Sequence, residues 1–308
     1  MNKLNFLVSL MTDDNDYQQE QAHDAEQAAR RYGVDINIIY AQNDAITQSQ
    51  QVLKVIQSQG PRPHTIIIEP LGSGALPQAA RAAGAAGIGW VVLNRDVDYI
   101  GELRKSFKVP FFSITADHEE VGRIQGRQLS ALLPNGGSVL QIQGPSESLA
   151  AKQRLAGMYE TKAANIDIKS MKAQWTEESS YKVVSSWLRL STSQKAQMHA
   201  IAAQDDSMAI GARKAFDEHT TGAARDRWLS AAFIGCDGVP KTGQAWVQSG
   251  LLTATIVIPP VAGNAIELLV NALRNGVVPP ERSLATPTSF PTLEQLALRK
   301  AKSRAMGK

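Results

Sequence analysis

Along this chain a short apolar run is followed by a turn and then by a longer amphipathic stretch, and the pattern repeats. Apolar runs fall at residues 6–11, 36–40, 65–69, 89–93, 111–115, 138–143, 168–174, 199–203, 231–236 and 254–258. Several are continuously apolar rather than alternating, such as Ile66-Ile67-Ile68 and Trp90-Val91-Val92-Leu93. Strands buried on both faces read this way, which predicts parallel sheets covered by helices.

Helical spacing fills the intervals. Residues 16–31 predict a helix ending at Gly33, a natural C-cap, and residues 45–59 one that stops at Gly60-Pro61. Residues 119–133 and 147–164 follow the same design. A helix over 207–218 is expected to open on Ser207 as its cap. One over 260–275 opens on Pro260, tolerated in a first turn, and stops at Gly276. A last helix is expected over 293–306, after the connection from Pro287 to Pro291.

Strand–helix alternation implies right-handed βαβ units and doubly wound sheets. About ten strands strain a single sheet of this type, and one core stops growing near ~250–300 residues, so the 308 residues predict two lobes. The spacing resets near Ala116. No low-complexity segment separates the halves, which points to lobes joined by short hinge strands.

Composition narrows the function classes. Thirty-two basic and 29 acidic residues leave a formal charge of +3, which gives no electrostatic reason to expect nucleic acid. The basic residues Arg299, Lys300, Lys302, Arg304 and Lys308 read as one face of a solvated tail helix. The single cysteine, Cys236, cannot form an intrachain disulfide and reads as a buried structural thiol. No apolar stretch approaches the ~18 residues of a membrane span, so no insertion is expected. Residues 1–11 resemble a signal peptide superficially, but Asp13-Asp14 follows rather than a small-residue cleavage site, so they read as the first strand.

Catalytic signatures are missing. Gly84-Ala85-Ala86-Gly87-Ile88-Gly89 lies after a helix and before a strand, the reverse of a phosphate loop, and reads as a helix end and tight turn. His23, His64, His118, His199 and His219 form no metal spacing with each other or with Cys236. No G-x-S-x-G elbow occurs. No catalytic residue, metal or cofactor is expected. The strand ends say more, because ligands of open parallel sheets bind beyond the carboxyl ends of the strands. Those ends carry Asn15-Asp16-Tyr17-Gln18, Asn94-Arg95-Asp96, Asp205-Asp206-Ser207 and Cys236-Asp237-Gly238. Carboxylates, arginines and an aromatic ring suit a neutral polyhydroxyl ligand.

These residues resemble the type I periplasmic sugar-binding proteins, the ribose-binding-like group that shares its fold with LacI-type effector domains. The resemblance spans essentially the whole chain. It is carried by Asn15-Asp16-Tyr17, by Val91-Val92-Leu93-Asn94-Arg95, by Arg154 within residues 150–157, by Ala202-Ala203-Gln204-Asp205-Asp206-Ser207-Met208-Ala209-Ile210-Gly211, and by Ile234-Gly235-Cys236-Asp237-Gly238 with Ala254-Thr255-Ile256. It implies two doubly wound α/β lobes joined by a three-crossing hinge, with crossings near Ala116, Ile258 and Pro287. The lobes would be 1–116 with 259–287, and 117–258 with 288–308.

Carried over to this sequence, the family's ligand-binding positions fall on Asn15, Tyr17, Arg95, Arg154, Trp175, Asp205 and Asp237. Arg95 and Arg154 would donate forked hydrogen bonds, Asp237 would accept, and Tyr17 and Trp175 would sandwich a ring. Four positions depart from the family pattern. Asn94 stands where Asp is usual, Asp205 where Asn is common, Gln18 for a second aromatic, and Ile258 for a polar contact. These departures argue against ribose itself and for another monosaccharide, a polyol or a modified sugar. The resemblance implies a monomeric receptor that presents its closed form to an ABC permease, in the periplasm once a signal has been removed. The alternative is a signal-less sensory protein, cytoplasmic in that case, acting with a sensor kinase or regulator. A complete repressor would need a helix-turn-helix ahead of the first strand, and none is seen. An enzyme on this fold finds no supporting motif.

Overall fold

A computed structural model describes residues 3–71, 76–194 and 196–298. Two compact units divide the chain. Residues up to Ala116 form one with Pro260–Ala285; Asp117–Pro259 form the other with residues from Thr286 onward. The chain therefore passes between units after Ala116, after Pro259 and after Ala285.

The first unit alternates β1 (Asn5–Leu10), α1 (Asp16–Tyr32), β2 (Asp35–Tyr40), α2 (Ala45–Ile56), β3 (Thr65–Ile68), α3 (Pro77–Ala85), β4 (Gly89–Leu93), α4 (Ile100–Ser106) and β5 (Phe111–Ala116). The second runs α5 (His118–Leu132), β6 (Gly137–Gln143), α6 (Leu149–Thr161), β7 (Ile166–Lys172), α7 (Glu177–Leu188), α8 (Ser191–Gln194), β8 (Ala200–Ala203), α9 (Asp206–His219), α10 (Gly222–Leu229) and β9 (Ala232–Ile234). It continues through α11 (Ala245–Gln248) and β10 (Thr255–Val257). The chain then returns α12 (Ala262–Asn275) and β11 (Arg282–Ala285) to the first unit and β12 (Thr288–Phe290) to the second.

In the first unit all strands are parallel, in the order β11-β5-β4-β3-β1-β2. Successive side chains on a strand face opposite ways. Phe6, Val8 and Leu10, with Ile67, Val91 and Leu93, therefore pack against α1 and α12. Leu7, Ile66, Ile68, Trp90 and Val92 pack against α2, α3 and α4. Burying each such side chain favours folding by about 1.5–3 kcal/mol, which is why the central strands admit almost no polar residue. Gly33 ends α1 at φ 61° and Gly276 ends α12 at φ 69°, left-handed positions where a side chain would be strained.

The second unit orders its parallel strands β7-β6-β8-β9, and β10 pairs antiparallel with β12. Single bridges at Ile234–Ala254 and Asp237–Val257 tie β10 to the β9 edge. Leu140, Ile142, Ile201 and Ala203 face α7 and α9, while Val139, Ala200, Ala202 and Ile234 face α5 and α6. Helices α5 and α6 approach backbone to backbone through glycine. A Cβ at Gly157 would lie 2.0 Å from the Glu119 carbonyl oxygen, and one at Gly122 2.1 Å from that of Arg154. Cys236 is buried, as expected of a structural thiol, and burial pushes its pKa well up.

Local structure departs from the sequence expectations at several points. The cap of α9 is Asp205, whose side chain accepts from the Met208 N–H at 2.9 Å, so Ser207 sits inside the first turn. Ser148, not a residue before it, caps α6, whose span is shorter than 147–164. Helix α12 begins at Ala262, leaving Pro260 outside, because Val261 occupies the cap position. The strand expected over 168–174 runs from Ile166 to Lys172, since Trp175 turns the chain at φ 59°. The pattern missed α4, α7, α8, α10 and α11, which are short or polar on most faces, and the short part-exposed strands β11 and β12. Of the expected last helix, residues 293–298 are helical; its remainder and the five basic tail residues lie outside the described residues.

Candidate ligand-binding site

In the first unit, the segment after β1 turns directly into α1. Asn15 Oδ1 accepts the Gln18 N–H at 3.1 Å, which holds the helix start and places Tyr17 in its first turn. The Tyr17 hydroxyl lies 3.5 Å from Asn94 Oδ1 and accepts from Gln21 Nε2 at 3.3 Å. Asn94 itself follows β4 in left-handed backbone, φ 53°. Arg95 comes next, half-buried; burial lowers its pKa, and the Glu69 carboxylate at the end of β3 opposes that shift. Tyr17, Asn94 and Arg95 thus belong to one strand-end face. Gln18 does not point there: it is 1% exposed and its Oε1 accepts the Met11 N–H at 3.0 Å. The Asn15 oxygen is likewise engaged in capping.

In the second unit, Arg154 of α6 is the hub. It is buried, and its Nη1 donates to the Gln204 carbonyl and lies 3.7 Å from Asp237 Oδ1. Its Nε donates to His118 Nδ1 at 3.5 Å, and its guanidinium stands 5.5 Å from the centre of the Trp175 ring. That distance is a cation–π contact, which fixes ring and guanidinium together. The indole lies against Gly144, where a Cβ would meet ring atom Cζ2 at 2.1 Å. Asp205 caps α9 beside Asp237. Burial, and then the Asp237 charge, push its carboxyl well above the ordinary carboxylate range. Beneath them, buried Asp206 accepts from the Gly238 N–H and the Thr255 hydroxyl, both at 2.7 Å; burial raises its pKa too. Ile258 contributes its N–H to the Asp237 carbonyl at 3.0 Å, while its side chain is buried.

Trp175 at φ 59° and Asp237 at φ 98° share with Asn94 a conformation that side chains other than glycine rarely adopt. For tryptophan it costs about 1–2 kcal/mol. Such strain persists only where the surroundings over-determine it, and it gathers at functional sites. Among the described residues, no group of three or more His, Cys, Asp or Glu could hold a metal ion, and no helix is long and apolar enough to cross a membrane.

The periplasmic binding protein domain matches residues 6–276. The chain belongs to that family. It is a family of binding proteins rather than enzymes, and the resemblance drawn from the strand-end motifs is borne out. The binding protein is 28% identical over 218 residues to a protein of Rhizobium meliloti named for binding rhizopine; the match covers 69% of this chain but only 64% of that one. It is 24% identical over 306 residues to the D-apiose import binding protein of Paraburkholderia graminis, covering 95% of this chain and 91% of the relative. Among solved structures it shares its fold with an ABC transporter periplasmic solute-binding protein of Actinobacillus succinogenes with bound D-allose. There the TM-score is 0.80 at 24% identity, over 96% of this chain and 99% of that one.

The structure adds residues that the sequence reading did not single out. Gln204 Nε2 donates to the Ala151 carbonyl at 3.0 Å, and its Oε1 accepts the Gly144 N–H at 2.9 Å. It thereby locks together the strand end, α6 and the glycine under Trp175. A glutamine between an apolar strand and a capping acid was the available signal. Gln21 carried none, because its partners lie 240 and 241 residues further along the chain.

Proposed function

We propose that this protein is a receptor for a small polyhydroxylated solute, of monosaccharide or cyclitol size, and that strand-end residues contribute to its binding. The observation that carries the reading is the Arg154–Trp175–Asp237–Asp205 group. It offers a buried fork of donors, carboxylate acceptors and one flat apolar face within a single strand-end cluster. A sugar ring presents the complement: hydroxyls around an edge and C–H bonds on a face. Tyr17, Asn94 and Arg95 supply a second set of the same chemistry. The D-apiose and D-allose binding of the relatives named above supports a sugar-like ligand. By the same relationship, an ABC permease is the partner that recognises the liganded form, on the periplasmic side of the membrane.

A thermal-shift screen tests this with D-ribose, D-allose, D-apiose, L-arabinose and myo-inositol. A ligand at 100 times its Kd adds about 2.7 kcal/mol of stability, a shift of several degrees. Stabilisation by one of these polyols, lost in Arg154→Ala, is the expected result. A flat response to every neutral polyol refutes the reading.

A further inference from the structure

Gln204, the residue after β8, is fully buried, and its polar groups reach four different places in the second unit. Its N–H donates to the Ile142 carbonyl at 3.0 Å, which extends the contact of β8 with β6, and its own carbonyl accepts from Arg154 Nη1. The side chain ends on two further segments. Oε1 accepts the Gly144 N–H at 2.9 Å, just past the end of β6, and Nε2 donates to the Ala151 carbonyl at 3.0 Å, in the first turn of α6.

These two partners fix the orientation of the amide. A backbone N–H needs the oxygen and a carbonyl needs the NH2, so an amide turned over would set donor against donor and acceptor against acceptor. Asparagine offers the same pair of groups but is one methylene shorter. The segments tied in this way carry the groups offered to the ligand. Gly144 is the floor under Trp175, because a Cβ there would lie 2.1 Å from ring atom Cζ2. Ala151 lies three residues before Arg154 in α6, on the same side of that helix. The guanidinium and the indole stand 5.5 Å apart, and the indole is part-exposed. Gln204 has no exposed surface, so its influence on a ligand passes through these two groups.

We propose that Gln204 is a positioning residue of the binding site: it sets the Trp175 ring against the Arg154 guanidinium, and so the fit of the ligand, without touching the ligand. The proposal rests on the receptor reading above. What the position demands is one acceptor and one donor on a single side chain, rather than bulk or charge.

Gln204→Glu isolates that demand. An ionised carboxylate keeps the length and still accepts from Gly144, but it has no donor for Ala151 and sets oxygen against oxygen. Burial raises the pKa of such a carboxyl above its ordinary value of about 4.3, and the protonated form regains an O–H donor. Wild type carries the same Arg154, Asp205, Asp206 and Asp237, so their titration cancels when variant and wild type are compared at one pH. Labelling with 5-fluorotryptophan, with Trp175 assigned from a Trp175→Phe variant, gives a 19F readout that needs no ligand. At pH 8 the Trp175 resonance should move in Gln204→Glu while those of Trp90, Trp187 and Trp228 stay, and at pH 5 it should return toward the wild-type position. Calorimetry with D-ribose, D-allose, D-apiose, L-arabinose and myo-inositol reads affinity: the polyol that binds wild type should bind the variant at least tenfold more weakly at pH 8, with the gap narrowing at pH 5. An unmoved Trp175 resonance overturns the proposal, as does wild-type affinity at pH 8 or a loss that pH does not relieve. If none of these polyols binds wild type, the receptor reading fails for them, while the Trp175 resonance still decides whether Gln204 positions the ring. If Gln204→Glu does not fold at pH 8, the uncharged Gln204→Met decides: a wild-type resonance and affinity there reject the role, and a moved resonance with a tenfold loss supports it.

Discussion

Replacing Gly144 by alanine leaves every hydrogen bond of the second unit's cluster in place and adds one methyl group. That group would sit 2.1 Å from Trp175 Cζ2 and 2.3 Å from Cη2. Carbon atoms rest about 3.5–4.0 Å apart, so the ring must withdraw by about 1.4 Å. Two restraints resist the withdrawal: the left-handed backbone of Trp175 and its contact with Arg154. Overpacking of this kind costs about 1–3 kcal/mol. At about 2–4 °C per kcal/mol for a unit of this size, the melting temperature should fall by about 2–12 °C. If Trp175 is the face on which a ring stacks, its displacement forfeits about 0.5–1.5 kcal/mol of binding, a loss of about 2- to 13-fold in affinity. Scanning fluorimetry reads the first effect and calorimetry with the polyol identified in the screen reads the second. Gly60→Ala, where a Cβ meets nothing closer than 3.5 Å, is the control. Wild-type affinity in a Gly144→Ala protein with a lowered melting temperature would remove Trp175 from the ligand's contacts. A wild-type melting temperature would refute the close packing.

Three further outcomes follow from the same geometry. Arg154→Lys keeps the charge but not the fork that reaches Gln204, His118 and Asp237; calorimetry should show at least a tenfold loss of polyol affinity with the fold intact by circular dichroism. Asp205→Asn keeps the helix cap. Because the folded state holds the Asp205 pKa high, folding takes up a proton there. Its stabilising contribution is full below the unfolded value near ~3.9 and is lost as pH rises through the folded one. The variant should therefore gain melting temperature over wild type at pH 8 and lose that advantage toward pH 4; a difference that ignores pH contradicts the shift. Gly157→Ala drives a methyl into the Glu119 carbonyl and must part α5 from α6, so urea melts should show a loss of at least 1–3 kcal/mol.

The parallel sheets were legible because their strands are buried on both faces, and burial leaves a continuous apolar run such as Ile66–Ile68. Helix ends were legible where a glycine supplies the left-handed turn, as at Gly33 and Gly276. The strand-end residues were legible as a class, because parallel sheets gather their carboxyl ends and polar side chains there have little structural reason to recur. Edge strands β11 and β12 were not, since a short strand with one exposed side has no distinct period.

Which strand-end residues face outward was also beyond the sequence. Gln18 reads as a neighbour of Tyr17, yet helix geometry turns it inward onto the Met11 N–H. The stacking of Trp175 on Gly144 depends on two loops, well separated along the chain, meeting at one strand end. The burial that raises the Asp205 pKa and the distant cap that Gln21 gives α12 arise from contacts that exist only after folding. Hydropathy and turn chemistry act between near neighbours, so the sequence alone determined the buried strands, the longer amphipathic helices, the two-lobed α/β class and the polar character of the strand ends. Direction, protonation and orientation depend on groups brought together from far along the chain, and only the tertiary structure decided them.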